Sequence, residues 1–225
     1  MSSLNITKQL EMKKILLLTT ITASFLLSGC TKNYVDPYYP PDNTYEFVDE
    51  FVDNRNDWNF ADNVNDAYGI VSNGTYSLNY LDPNGIAYYM SKNIQFNPDR
   101  NFVIQSRIGS DNNMGLLFGH DAASGAFGYS FTISVDGYFA LYDEGGNGGS
   151  QDITEIIAPR TASYVNGNGN WNEVKVEQVG NNWIGYINGY QAFTVPARYI
   201  VKGSVGFVVV GNTRGEADYL QANYY

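Results

Sequence analysis

The sequence predicts an all-β protein in which two antiparallel sheets pack face to face as a sandwich or jelly roll. Of its 225 residues, 15% are aromatic, with 19 Tyr and 12 Phe, and aromatic side chains favour strands. Gly occurs 23 times and Asn 26 times, and both supply the positive φ angles of tight turns. About a dozen strands with no long helical period need two packed sheets to bury their apolar faces.

Asn-Gly and Asp-Gly dipeptides indicate the turns. They recur between alternating apolar and polar runs, which is the strongest short-range signal of a β-hairpin. They lie at residues 73–74, 84–85, 136–137, 166–167, 168–169 and 188–189. Two hairpins are clear: 127–135 with 138–143, and 171–179 with 182–188, the second turning at Gly180-Asn181.

Period-two alternation supports the strands themselves. Tyr129, Phe131 and Ile133 share one face of their strand, and Val174 and Val176 share one face of theirs. No repeat of fixed period occurs, which excludes a propeller or a β-helix. The predicted strands are 46–51, 67–71, 74–80, 86–91, 102–108, 114–119, 127–135, 138–143, 152–157, 171–179, 182–188, 190–195, 204–210 and 217–224.

Charge and ligand-forming residues exclude several classes of protein. The chain has 13 Lys and Arg against 23 Asp and Glu, a formal net charge of −10. A nucleic-acid binder needs a basic face for phosphate contacts, so we expect no nucleic-acid partner. A single Cys and a single His leave no disulfide within the chain and no zinc site of the usual Cys/His kinds.

Residues 12–30 resemble the signal of a bacterial lipoprotein. Two lysines follow Met12, which we expect to be the true start; residues 15–27 are apolar, and small residues precede Cys30. The resemblance implies that Cys30 receives diacylglycerol and that the chain is cut just before it. The alternative is an uncleaved anchor, but 13 apolar residues are fewer than the roughly 20 of a spanning helix.

This signal divides the chain into three parts. Residues 1–29 are the predicted signal peptide, residues 30–44 a Pro-rich lipidated tether, and residues 45–225 the β-sandwich domain. Three prolines deny the tether helix and ladder hydrogen bonds, so we expect an extended segment; docking of Tyr38-Tyr39 on the domain is the alternative.

The charge of the mature chain determines how it meets a membrane. Removal of three lysines and one glutamate with the signal changes the net charge from −10 to −12. Such a chain does not seek anionic lipid, so acyl chains must hold it at the bilayer. We expect a lipid-anchored protein of the bacterial cell envelope, at the outer membrane. The sequence leaves open whether it lies on the periplasmic face or on the cell surface.

Four landmarks follow one another along the domain: residues 47–51 with Trp58, residues 115–119 followed by 128–137, residues 171–176 leading to 186–189, and residues 203–207. In this order they resemble the concanavalin A-like lectin/glucanase domains, close to laminin G-like and family 16-like noncatalytic modules. The resemblance covers nearly all of 45–225. It implies a jelly roll of two antiparallel sheets with paired first and last strands. Members of this family bind sugars, bind proteins or hydrolyse glycans.

Catalytic residues of this family are not evident in the sequence. Its glucanases carry acidic residues at alternate positions of one strand, in a Glu-x-Asp-x-(x)-Glu pattern, because a retaining mechanism needs two carboxyl groups about 5 Å apart. The nearest run here, Glu46 to Glu50, has the wrong spacing, and Glu173 and Glu177 belong to a solvated strand face. We therefore name no catalytic residue.

Two other features bear on catalysis, the segment 113–116 and His120 with Asp121. A relative of the fold hydrolyses 3-keto sugars, and Asn113-Met-Gly-Leu116 only partly matches its Asn-Ser-Gly-Ile strand. His120 precedes Asp121, but no nucleophile with a recognisable elbow accompanies them, so we expect a histidine on a surface loop.

Aromatic residues are the candidates for ligand contact, because an exposed ring can hold the C–H face of a sugar. Trp58 lies in a polar stretch and is expected to be exposed, whereas Trp171 is expected in the core. Trp183 faces inward by alternation but stays a candidate, and of the adjacent Tyr88-Tyr89 one must face outward. The ligand-binding candidates are Trp58, Tyr88, Tyr89 and Trp183.

Calcium is the one metal that the sequence leaves open. The ion takes six to eight oxygen ligands, and related laminin-type modules bind it. Candidates on acidic loop positions are Asp111, Asp121 and Asp143; a solvated acidic surface is the alternative. The glycine run at 145–149 is not a phosphate cradle, since no lysine and no helix follow it.

We therefore predict a lipid-anchored envelope protein whose sandwich binds a glycan or an envelope protein without catalysis. A glycan-active hydrolase of the same superfamily is the first alternative. A structural subunit of an outer-membrane assembly is the second.

Overall fold

A computed structural model describes residues 45–94, 96–121, 124, 126–145 and 153–225. The predicted signal peptide, the tether and Cys30 lie outside the described residues, as does most of the glycine run at 145–149. All described residues belong to Pro40–Tyr225, the second of the two units into which the chain divides.

Strands alone build the described residues, with no helix among them. No helix in this part of the chain is long and apolar enough to cross a membrane. The strands are β1 (Tyr45–Asp49), β2 (Phe60–Asp62), β3 (Ala67–Ser72), β4 (Thr75–Tyr80), β5 (Ala87–Asn93), β6 (Phe102–Ser110), β7 (Asn113–Phe118), β8 (Tyr129–Ser134), β9 (Tyr138–Asp143), β10 (Thr154–Thr161), β11 (Asn172–Val179), β12 (Asn182–Ile187), β13 (Tyr190–Pro196), β14 (Ser204–Val210) and β15 (Thr213–Tyr224).

The strands form two antiparallel sheets. One has nine strands, in the order β13-β12-β11-β6-β15-β4-β3-β2, with β1 also paired to β15. The other has six, in the order β10-β9-β8-β7-β14-β5. The predicted all-β sandwich is confirmed, and the pairing of β1 with β15 is the one that the concanavalin A-like resemblance implies.

Aromatic side chains from the facing sides of both sheets fill the core. Phe118 of β7 meets Trp183 of β12 edge-on, with ring centroids 5.2 Å apart, and Phe207 of β14 lies 5.8 Å from Tyr76 of β4. All four rings are fully buried. Burial of each such side chain contributes roughly 1.5–3 kcal/mol, so this aromatic layer holds the two sheets together.

Tight turns at Asn-Gly dipeptides connect the strands as predicted, with exceptions. Both residues of Asn73-Gly74, Asn168-Gly169 and Asn188-Gly189 have positive φ, as a type I′ turn requires. Gly180-Asn181 links β11 to β12, with φ +57° at Gly180. Gly85 and Gly167 do not have positive φ, so those two dipeptides lie in wider loops.

Three strands differ from the sequence prediction. The three-residue β2 was not predicted, because its Phe60–Asp62 lies within a polar stretch. β10 continues past Pro159 to Thr161, which is tolerated because β10 is an edge strand with two register shifts. β15 begins at Thr213 because its first part pairs with β4, ahead of a bulge.

Candidate functional site

Trp58, predicted to be exposed, is fully buried. Its indole N–H donates a 2.8 Å hydrogen bond to Oδ2 of Asp49, and its ring packs against Phe51 and Phe207, with centroids 5.7 and 6.0 Å away. Asp49 also accepts from Asn56 and from the Phe51 amide. The predicted exposure is wrong because a buried carboxylate satisfies the indole, and no ligand can stack on this ring.

Trp183, another ligand candidate, is fully buried as well. Its indole N–H donates to Oε1 of Gln178 over 2.8 Å, and its ring meets Tyr129 edge-on at 4.7 Å. Trp183 is therefore a core residue and not part of a surface site, as the alternation of its strand indicates.

Tyr88 and Tyr89 point to opposite faces of β5, as predicted for adjacent strand residues. Tyr88 lies between the sheets, stacked on Phe60 with centroids 5.4 Å apart, and its hydroxyl is 3.3 Å from Oδ2 of Asp62. Tyr89 lies on the outer face of the six-stranded sheet, where its hydroxyl donates to Oε2 of Glu144 over 2.9 Å. Both rings are half-buried, so neither is a free plate for a ligand.

A polar cluster, formed by Tyr89, Ser91, His120, Ser130 and Glu144, lies on this outer face. The two carboxylate oxygens of Glu144 accept from the hydroxyls of Ser130 and Tyr89. Ser91 Oγ lies 2.8 Å from Nδ1 of His120, whose ring is near-parallel to Tyr89. His120, expected on a surface loop, is thus half-buried.

Burial shifts the pKa values of two groups in this polar cluster, Glu144 and His120. Glu144 is only 3% exposed, and burial raises the pKa of its carboxyl, while the hydroxyls of Ser130 and Tyr89 oppose that shift. Burial likewise lowers the pKa of His120, against the nearby charge of Asp121. Ser91 lies within strand β5 and not on the sharp strand-to-helix turn that exposes a hydrolase nucleophile, so the pair is not a nucleophile elbow.

Each calcium candidate forms an ion pair with a basic side chain. Asp111 pairs with Arg214 at 3.2 Å. Asp121 pairs with Lys202 at 3.1 Å, and Asp143 pairs with Arg198 at 3.0 Å. Within the described ranges, no three carboxylate, imidazole or thiol groups lie close enough together to hold a metal ion. Calcium binding stays a prediction. A calcium ion at any of these carboxylates would have to displace the basic side chain that is paired with it.

Glu173 and Glu177 of the nine-stranded sheet lie on its outer face, as predicted. Glu173 and Glu177 alternate with the buried Val174 and Val176 along β11. Glu177 pairs with Lys175 at 2.6 Å, which is an ordinary ion pair of a strand surface.

Trp171, expected in the core, is the one tryptophan that is only half-buried. It lines an open cleft of about 660 Å³ at the end of the nine-stranded sheet, within the size range of small-molecule sites. Polar residues line the same cleft: Asn79, Ser110, Asp111, Asn168, Arg214 and Glu216. We refer to this feature as the Trp171 cleft.

Gly109 forms the floor of the Trp171 cleft. It pairs with Glu216 of β15, and the position of its missing Cβ lies 3.7 Å from the Trp171 ring. Adjacent strands are about 4.8 Å apart, so Trp171 and Glu216 flank a gap of two strand spacings, or roughly 10 Å. The same Cβ position lies 3.3 Å from the Gly169 carbonyl oxygen, so a larger residue at position 109 would press on the 169–170 backbone.

Asparagine side chains hold the wall of the cleft in place. Asn172, which is buried, accepts from the Asn166 amide over 2.8 Å and donates to the Asn166 carbonyl over 2.9 Å. Asn188 donates to Oδ1 of the same Asn172 over 2.8 Å. The loop before Trp171 is therefore fixed to the turn between β12 and β13, and its tryptophan is preorganised.

Two ion pairs lie near Trp171. The Arg107 guanidinium lies over the indole, 5.3 Å from the ring centroid, and forms a 2.6 Å ion pair with Asp218. On the other side, Asp111 accepts from the Arg214 amide over 2.7 Å as well as from its guanidinium. The cleft thus offers one apolar ring among groups that can donate or accept hydrogen bonds.

Strand alternation contained the signal for Trp171. Because Val174 and Val176 face inward, Asn172 must face inward too, and Trp171 must share the outer face of Glu173. The expectation that Trp171 is a core residue rested on the strand pattern of the family and not on this alternation, and it was wrong.

No protein-family model matches the sequence, and no curated protein is similar to it in sequence. Solved structures with a similar fold include the following three. A κ-carrageenase from Pseudoalteromonas carrageenovora, in complex with an oligotetrasaccharide of κ-carrageenan, is 12% identical, with 84% of this chain and 98% of that chain covered and a TM-score of 0.49.

The two others have lower TM-scores. The carbohydrate-binding module CBM66 from Bacillus subtilis is 15% identical, with 67% and 82% covered and a TM-score of 0.44. Sheep galectin-11 is 13% identical, with 59% and 98% covered and a TM-score of 0.39. Similarity at this level does not establish a shared ligand or activity.

Proposed function

We propose that this protein binds a glycan through the Trp171 cleft and does not hydrolyse it. The observation that carries the proposal is the half-exposed indole of Trp171 at an open cleft of about 660 Å³, while Trp58 and Trp183 are fully buried. Tryptophan is among the residues that dominate binding energies where a ligand reaches it.

The cleft suits a sugar chemically. A pyranose presents an apolar C–H face and a rim of hydroxyl groups, each of which donates and accepts hydrogen bonds. The indole offers the apolar surface, and Asp111, Arg214 and Glu216 offer charged partners at the rim. Ser110 and Gly169 also line the cleft.

The carboxylates of the cleft do not resemble a hydrolytic pair. The acid of a glycosidase is a carboxyl group whose pKa is raised by a desolvated site. Asp111 and Glu216 are both exposed to solvent, and both oxygens of Asp111 are engaged by Arg214. Asp111 therefore serves to hold Arg214 and the loop in place.

Glycan binding can be tested on an array, followed by calorimetry with soluble oligosaccharides. We expect Trp171→Ala to weaken binding by about 1–3 kcal/mol, roughly 5- to 150-fold, while the melting temperature changes little. Trp171→Phe should keep part of the affinity, and Tyr190→Ala is the control, since Tyr190 is exposed but outside the cleft. Equal affinity of the wild type and Trp171→Ala would refute the proposal.

Glu144 supports the hydrolase alternative. Among the described residues it is the carboxyl group whose pKa burial raises, which is the property of a general acid. If the protein releases reducing sugar from any glycan, and Glu144→Gln abolishes that release, the hydrolase moves to first place. Activity that persists in Glu144→Gln would separate the hydrolysis from this residue.

We also propose that the chain is anchored in the bacterial cell envelope, at the outer membrane, through a lipidated Cys30. The support is the lipobox-like sequence and the single cysteine of the chain. Mass spectrometry should find acyl groups at Cys30, and Cys30→Ala should release the protein from the detergent phase. An unmodified thiol would refute the proposal. Stoichiometric co-purification with outer-membrane proteins would favour the assembly-subunit alternative.

A further inference from the structure

A second cleft adjoins the Trp171 cleft. It measures about 560 Å³ and is lined by Val135 to Gly137, by residues 161–163, and by Val165, Gly167 and Asn168. Val135 and Asn168 line both clefts, so the two are neighbours at the same end of the sandwich. We refer to it as the Ser163 cleft, after the exposed Ser163 on its wall.

The segment Asn166-Gly-Asn-Gly-Asn170, here called the glycine ridge, separates the two clefts, and the exposed Asn168 in its middle lines both of them. Gly169 has φ +74°, a conformation that disfavours other residues, and a Cβ at Gly167 would lie 3.0 Å from the Val135 carbonyl oxygen. Larger residues are therefore disfavoured at both glycines, which lets the ridge lie close to Val135 and Ser110.

The lining of the two clefts is polar and slightly acidic. Of the residues that line them, Arg214 alone is basic, and its guanidinium is already paired with Asp111. Glu216 and Asp136 are acidic, and the rest of the Ser163 cleft offers the hydroxyls of Thr161 and Ser163 and backbone groups. An anionic polymer would meet uncompensated like charge here, whereas neutral hydroxyl groups would find partners.

We propose that the two clefts form one track for a neutral polysaccharide, with Trp171 holding one sugar and the Ser163 cleft holding later units of the same chain. This rests on glycan binding at Trp171, and it adds that the ligand is an uncharged chain of several units that crosses the glycine ridge. The second cleft contributes hydrogen bonds without an aromatic plate, so it adds affinity only for ligands long enough to reach it.

The test compares oligosaccharides of different length with the full-length protein. The probes are neutral glucan, mannan, galactan and xylan oligosaccharides of two and six units, with a uronic-acid oligomer of six units for comparison. We expect the six-unit form of a neutral series to bind at least tenfold more tightly than its two-unit form, and the uronic-acid oligomer to bind more weakly than the neutral one.

One substitution separates the two clefts. Ser163→Leu places a bulky side chain without an aromatic ring in the second cleft and should reduce the affinity for six units to nearly that for two units, with two-unit binding unchanged. Ser72→Leu is the matched control, because Ser72 is also exposed but is the last residue of β3 and lines neither cleft. Ser163→Ala controls for loss of the hydroxyl.

The outcomes separate the track across both clefts from glycan binding at Trp171 alone. Equal affinity for two and six units, or an effect of Ser163→Leu no larger than that of Ser72→Leu, overturns the track but leaves glycan binding at Trp171 intact. Preference for the uronic-acid oligomer overturns the neutral ligand alone. If no oligosaccharide binds, or if Trp171→Ala binds as the wild type does, both proposals fall.

Discussion

At the scale of single residues, Asp49 explains why Trp58 is buried within a polar stretch of sequence. Its carboxylate accepts three hydrogen bonds, from the Phe51 amide, from Asn56 and from the Trp58 indole, over 2.7–2.9 Å. Asp49 is itself only 4% exposed. A tryptophan amid aspartates and asparagines is therefore buried here because an aspartate nine residues earlier satisfies its N–H.

Asp49→Ala should destabilise the domain strongly. The substitution leaves a buried indole N–H and a buried backbone amide without an acceptor, and each such group costs roughly 1–3 kcal/mol. We expect a loss of about 2–5 kcal/mol in the free energy of unfolding, measured with urea. Asp53→Ala is the control, because Asp53 is exposed and pairs only with Arg55; a similar loss there would contradict the role given to Asp49.

Glu144 makes stability depend on pH in a defined direction. Burial raises the pKa of Glu144 in the folded state above its unfolded value of about 4.5. The folded state then binds more protons, so the contribution of Glu144 to stability is complete below that unfolded value and is lost as the pH rises through the folded pKa.

Glu144→Gln removes this titration while keeping a similar shape. We expect the stability of the wild type relative to Glu144→Gln to fall as the pH is raised from 4 to 7, as measured by urea unfolding at several pH values. His120 is present in both proteins, so its own titration enters both curves. Glu155→Gln is the control for the loss of a negative charge, since Glu155 is exposed. A difference that rises with pH would mean that the hydroxyls of Ser130 and Tyr89 outweigh burial.

At the scale of elements, turn chemistry determines where strands end. Asn188 and Gly189 have φ of +51° and +80°, and nothing lies within 4 Å of the position of a Cβ on Gly189. A substitution at Gly189 is therefore strained by the backbone alone and meets no steric obstacle.

Gly189→Val should thus cost roughly 1 kcal/mol or more, because a β-branched residue resists positive φ. Gly189→Asn should cost less, since asparagine tolerates the left-handed region. Thermal or urea unfolding of the three proteins checks the order wild type, Asn, Val. If valine proves as stable as asparagine, the left-handed turn does not limit this hairpin.

Local signals predicted most strands, and the exceptions have physical causes. Alternation and Asn-Gly turns act within a few residues, so β8, β9, β11 and β12 could be predicted closely. The short β2 forms only because β3 offers it an edge, and β15 is extended at its start by pairing with β4. Those pairings depend on residues far away in the sequence, which local patterns do not contain.

At the scale of the whole molecule, the site was less predictable than the fold. The exposure of Trp171 depends on the glycine at position 109 and on the fold of the loop before it. The burial of Trp58 depends on the carboxylate of Asp49. Alternation along β11 could have placed Trp171 on the outer face. That this face opens into a cleft follows from the meeting of β6, β15 and the 166–170 loop, which only the fold brings together.

The pairing of β1 with β15 joins the beginning of the domain to its end. Five residues of β1 pair with the end of β15, and Tyr45 stacks on Tyr224 with centroids 5.8 Å apart. Asp49 ends the strand and anchors Trp58. β1 therefore contributes both a strand of the sheet and the polar contact that completes the core around Trp58.

A chain that begins at residue 50 should accordingly be much less stable than one that begins at residue 45. Loss of β1 removes the Asp49 carboxylate, the packing of Phe47 against the core and the ladder hydrogen bonds to β15. Asp49→Ala in the chain 45–225 removes only the first of these, so the shorter chain should lose clearly more free energy of unfolding than this variant. Urea unfolding of the three proteins separates the contributions. If Asp49→Ala costs as much as the truncation, the pairing of first and last strands adds nothing to stability, and β1 serves only to deliver Asp49 to Trp58.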